Sequence, residues 1–81
     1  MATERTLIGK PLPNGAILVA RQKHIFGVYE IVLAIRWQGD LEYVTWRVFH
    51  QNDETTSEGH YFGPQFHEAV KDFEKRCGEA P

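Results

Sequence analysis

A two-residue turn at Gly39-Asp40 sorts nearly all side chains of residues 29–50 into two chemically different faces, and this pattern predicts a β-hairpin. With Gln38 facing Leu41 across a two-residue turn, Ile35 pairs with Val44, Leu33 with Trp46 and Ile31 with Val48. The intervening positions pair Arg36 with Tyr43, Ala34 with Thr45, Val32 with Arg47 and Glu30 with Phe49. Side chains alternate across a strand, so the first set, wholly apolar, is the expected inner face and the second, mixed set the outer one. A slip of one residue would exchange the two sets, which makes the register the premise of everything read from them.

Around the hairpin the pattern supplies further elements. Residues 1–15 carry Gly9, Pro11, Pro13, Asn14 and Gly15, too many breakers for a regular element, and read as an extended arm pinned by Leu7, Ile8 and Leu12. Residues 16–20, Ala-Ile-Leu-Val-Ala, form a first strand that ends at polar Arg21, Gln22 and Lys23. Residues 24–27 read as a turn in which Ile25 and Phe26 have no assigned place. A polar turn at residues 51–54 precedes a fourth strand over residues 56–62, where Gly59 weakens the strand or marks a bulge.

From residue 64 to 77 the period changes to that of a helix. Phe66, Ala69, Val70, Phe73 and Cys77 make one apolar stripe, with Glu68, Lys71, Asp72, Lys75 and Arg76 outside it. Pro64 suits the first helical position, Lys75 and Arg76 oppose the negative end of the dipole, and Gly78 suits a left-handed cap. The expected fold is α+β: a small antiparallel sheet of three to four strands, in β-β-β-β-α order, with one C-terminal helix packed on one face. Residues 1–15 form the arm, 16–78 a single domain and 79–81 a disordered tail. One helix covers one side of the sheet, which leaves the mixed face to solvent, the arm or a partner.

Composition narrows the function more than it identifies it. A chain of 81 residues has room for one domain and little for a deep cavity. A formal charge of −2 disfavours a protein whose affinity comes from neutralising phosphates. No apolar run reaches the roughly 18 to 20 residues of a membrane span. The single cysteine, Cys77, excludes an internal disulfide framework and fits a reducing compartment, so the expected location is cytoplasmic.

Among chemistry-bearing groups, His24, His50, His60 and His67 lack the paired spacings of a structural zinc site, and no metal or cofactor is expected. Cys77 lies on the apolar stripe at the dipole's negative end, where a thiolate is disfavoured. Glu30, Glu58 and Glu68 form no recognisable acid/base pair with a histidine, and no catalytic residue is assigned. Residues 55–58 have capping-box spacing but are not followed by an amphipathic run, and the acids Asp53, Glu54 and Glu58 read as a solvated turn.

One constellation remains, the mixed face with Val32, Arg36, Tyr43, Arg47 and Phe49. Arginine and aromatic residues are enriched where proteins meet partners, and Tyr43, Phe49 and Arg47 are the expected anchors, with Arg36 and Glu30 at the rim. The plainer account is a solvated face stabilised by cross-strand pairs.

The segments Leu12-Pro13-Asn14-Gly15, Tyr43-Val44-Thr45-Trp46-Arg47-Val48 and Gly59-His60-Tyr61-Phe62, with the helical run Glu68-Ala69-Val70-Lys71-Asp72-Phe73-Glu74, resemble a small domain of uncharacterised actinobacterial and phage proteins. The resemblance implies no activity, cofactor or catalytic residue. The function expected is that of a non-enzymatic binding module, with a protein or a second copy of the chain as partner and no small molecule identified. The alternative is single-stranded nucleic acid held by the same arginines and aromatics, against the net charge.

Overall fold

The hairpin forms, but it turns around one residue instead of two. A computed structural model describes residues 7–24, 29–49 and 55–78. In it β2 (Glu30–Gln38) and β3 (Asp40–Phe49) reverse at Gly39, whose φ of 87° glycine adopts without steric cost. Gln38 faces Asp40, and the ladder runs on with Ile35 opposite Tyr43, Ala34 opposite Val44, Leu33 opposite Thr45, Val32 opposite Trp46 and Ile31 opposite Arg47. This register is one residue from the expected one, so Val44, Trp46 and Val48 join the face of Val32 and Ala34, while Tyr43, Thr45, Arg47 and Phe49 join that of Ile31 and Leu33.

The composition of β2 is what permits the slip. Ile31, Val32, Leu33 and Ala34 are all buried, so both parities of this strand are apolar and either could face a core. Alternation on β3 shows which of its residues share a face, but not which half of β2 they meet. The turn decides that.

With β1 (Ile17–Lys23) and β4 (Thr55–Tyr61) the strands form an antiparallel meander in the order β1-β2-β3-β4, followed by α1 (Phe66–Gly78). The α+β class and β-β-β-β-α order are those expected. β1 runs on through Arg21, Gln22 and Lys23, which stand opposite Val32, Ile31 and Glu30. Arg21 Nε donates to Glu30 at 2.6 Å, and the ion pair explains how polar residues extend a strand whose partner positions are buried.

Each face of the sheet has its own core. On one side Ala69, Phe73 and Cys77 of α1 pack on Tyr29, Ile31 and Leu33, with Ala20, Tyr43, Phe49 and Val70 partly buried against them. On the other, Leu12 and Ala16 of the arm join Leu18, Val32, Ala34, Val44, Trp46 and Val48. The arm turns between the two, with the Leu12 N–H bonded to the Ala16 carbonyl at 2.8 Å and the Asn14 side chain accepting the Ala16 N–H at 3.0 Å. Before that turn it runs beside β1, where Gly9 donates to the Leu18 carbonyl and Leu18 to that of Lys10. Leu12 is the pin; Leu7 and Ile8, expected to share that role, are exposed.

The helix differs from expectation at its start, where Pro64 is not the first helical residue and Phe66 of the expected stripe is 43% exposed, and at two residues of its last turn. Arg76 is buried rather than outside the packed stripe, and Gly78 continues the helix instead of capping it in a left-handed conformation. Pro64 lies in the preceding turn, and the Gln65 carbonyl accepts the Ala69 N–H at 3.1 Å, so the helix begins after Gln65. The expected turn at residues 51–54, the placement of Ile25, Phe26 and His50, and the tail at 79–81 lie outside the described residues.

Candidate functional site

The new register divides the five predicted contact residues between the two faces. Val32 is fully buried beneath the arm and cannot contact a partner. Arg36 shares that face at its edge, where its guanidinium lies 4.8 Å over the Tyr61 ring and its Nε donates to Glu42 at 3.1 Å. Tyr43, Arg47 and Phe49 belong to the helix side, with Tyr43 and Phe49 packed against the core there. Arg47 stacks 4.3 Å over Tyr29 and donates to both carboxylate oxygens of Glu58, at 3.3 and 3.2 Å. Glu30, expected at the rim, is buried beside Arg21. The single mixed face does not exist, because the residues that composed it alternate across the sheet.

Another surface takes its place at the turn end of the hairpin. Continuing the helix-side parity of Ile35 and Tyr43 towards Gly39 brings the strands to Trp37 opposite Leu41, and to Ile17 on β1 opposite Ile35. The helix starts too late to cover this end. Phe66, its first residue, packs edge-on against Tyr43 at 5.1 Å and is itself 43% exposed, while Ile17 is 39% and Trp37 72% exposed. These residues form a row of apolar side chains across three strands and the first turn of α1. The sequence signal for it was present, since Trp37 has no place in a solvated turn, but the expected register set this residue opposite Glu42 and no role was read from it.

A second cluster is polar and runs from the helix to the sheet edge. Arg76 Nη1 donates to the Thr45 hydroxyl at 3.0 Å and to its carbonyl at 3.2 Å; the Thr45 hydroxyl donates to Asp72 at 2.5 Å; Asp72 meets His60 Nδ1 at 2.9 Å. Thr45 is fully buried and unsuited to attack a substrate, whereas His60 is half exposed. The chain therefore fixes one imidazole on β4 by a carboxylate on α1, with its other nitrogen free of that contact. Sequence reasoning missed it because β4 and α1 are joined only by folding.

A shallow depression of about 460 Å³ near the hairpin turn is lined by Arg36, Asp40, Leu41, Glu42, Gly63 and Pro64, and neither His60 nor His67 borders it. Among the described residues no group of three or more histidine, cysteine or acidic side chains is placed to hold a metal ion, and no helix is long and apolar enough to cross a membrane. Burial, and secondarily the Glu74 carboxylate, push the Cys77 thiol above its ordinary range, which keeps it protonated and unreactive at neutral pH. Comparison with protein-family models, with curated proteins and with solved structures finds no match to this chain.

Proposed function

We propose that this domain is a non-enzymatic protein-docking module, with the apolar row at the turn end of the hairpin as its contact surface. The observation that carries the reading is Trp37, a tryptophan 72% exposed opposite Leu41 and two residues along β2 from Ile35, which faces Ile17 and Tyr43. Tryptophan is among the strongest interface anchors, and large exposed apolar side chains gathered in one place mark contact surfaces more often than singly scattered ones do. Tyr43, one of the residues expected from sequence, supports this row from beneath through Phe66. A cytoplasmic setting belongs to the same reading, since the one cysteine of the chain is a buried free thiol.

Nucleic acid is the weaker alternative on physical grounds. Arg36 and Arg47 are each committed to a glutamate and lie on opposite faces of the sheet, so neither is positioned to neutralise a phosphate backbone together with the other.

The first partner to test is the chain itself. Sedimentation velocity over a wide concentration range should show association in the wild type that Trp37→Ser with Phe66→Ser removes, at unchanged circular dichroism. If the wild type stays monomeric, a photo-crosslinking residue at position 37 in cells should capture a protein that the same residue at Lys75, on the exposed helix face, does not. No association and no position-dependent capture would end the docking assignment.

A further inference from the structure

We infer that β4 is a releasable strand: it opens as a unit while the remaining sheet, helix and arm stay folded, and in doing so bares the edge of β3. β4 contributes no side chain to either core cluster. Its described side chains, Thr56 through Tyr61, include no buried residue, although the strand pairs along β3 and that strand has Val44, Thr45, Trp46 and Val48 buried. Its side-chain attachment is mainly polar, apart from the Tyr61 ring, which lies edge-on to Trp46 at 6.3 Å and under the Arg36 guanidinium at 4.8 Å. Thr56 accepts from Asn14 of the arm, Glu58 pairs with Arg47 of β3, and His60 meets Asp72 of α1, so three pins fasten it to three different elements. The pins on Glu58 and His60 are half or more exposed, where water competes for every one of those contacts.

The backbone adds to the same picture. Thr45 faces His60 and Arg47 faces Ser57, which leaves Glu58 and Gly59 together opposite Trp46 as a bulge. Glu58 takes a φ of 50°, a left-handed value disfavoured for a residue with a side chain, so part of the local energy is strain that release would relieve. Regions with few buried apolar contacts and exposed polar attachments open at lower free energy than the core, and β4 combines these with an edge position. Once it leaves, the β3 backbone groups that bonded it are unpaired and form a site for an extended strand, the geometry of strand addition.

Native-state hydrogen exchange tests the inference. The β4 amides that face β3 should exchange about tenfold or more faster than those of β2, with a weaker dependence on low denaturant, because opening β4 exposes the Trp46 ring and the β3 edge but far less surface than unfolding the domain. His60→Ala and Glu58→Gln should each speed the β4 amides about two- to fivefold, whereas Ile31→Val, whose contacts under α1 survive the opening, should speed the β2 amides about two- to tenfold and leave β4 unchanged, and this conservative variant keeps the test available if a pin variant folds poorly. Exchange of β4 and β2 at one rate with one denaturant dependence, or an Ile31→Val variant that accelerates β4 as much as β2, would show that β4 opens only with the whole domain and overturn the proposal.

Discussion

β2 and β4 belong to one sheet but are held in it by different forces. β2 is central and has apolar residues buried on both faces, Ile31 and Leu33 under the helix, Val32 and Ala34 under the arm. β4 is at the edge, carries no buried side chain among those described, and depends on its ladder, on polar contacts through Thr56, Glu58 and His60, and on the half-exposed Tyr61 ring against Trp46 and Arg36. Burial at about 25 cal/mol per Å² makes the first attachment strong and independent of geometry, whereas exposed polar pairs contribute little net stability and only in one arrangement. The bulge at Glu58 and Gly59 fits this division. A twisted, polar, irregular edge resists pairing with other chains, at the expense of its own hold on the sheet.

Substitutions on the two sides of this contrast should separate it. The largest loss is expected from Trp46→Ala, which removes a ring buried between the arm-side core and Tyr61, whose ring lies edge-on at 6.3 Å. Urea denaturation should register about 3 to 5 kcal/mol, and a loss below about 1 kcal/mol would mean the arm-side core is not a real packing unit. Arg76→Ala should cost about 1 to 3 kcal/mol, because the fully buried Thr45 loses the donor to its carbonyl and hydroxyl. Replacing the arginine by methionine should recover part of that cost if packing of its stem contributes.

Gly59→Ala addresses the bulge directly. An added Cβ would stand 2.7 Å from the Trp46 indole nitrogen and from the Tyr61 hydroxyl, so a destabilisation of about 1 to 3 kcal/mol is expected by thermal melting, together with a shifted tryptophan emission. His60→Ala should cost about 1 kcal/mol or less by urea denaturation. Smallest of all is Trp37→Ser, expected within about 0.5 kcal/mol of the wild type because nothing packs over the exposed ring. A larger effect would show that Trp37 is structural and would remove the reason for reading a contact surface there.

The elements themselves were legible from residue pattern. The apolar stripe Ala69, Phe73, Cys77 is buried as spaced, and Gly59 does mark a bulge. The exposed apolar row at the turn end was not legible, and the fault lay in one step. Reading β2 as one apolar and one mixed face treated Val32 and Ala34 as surface residues, although they are as apolar as their neighbours. A strand with a core on each side carries no parity signal, so the pairing with β3 had to be assumed from the turn. The polar chain from Arg76 to His60 was equally hidden, since its members are separated by 27 residues at Thr45 and Asp72 and by 12 at His60 and Asp72.

What the sequence determined alone is the set of periods: four strands, one amphipathic helix, and which residues within each element share a side. These follow from local geometry, because a side chain's direction relative to its neighbours is fixed by the backbone of its own element. Which sides face each other was decided by tertiary structure. The single-residue reversal at Gly39 set the register, and Leu12 and Ala16 of the arm supplied a second core that turned an expected surface into an interior. Both are relations between segments, and a one-residue change at a turn moves a whole strand's side chains to the other face without altering the period of a single element.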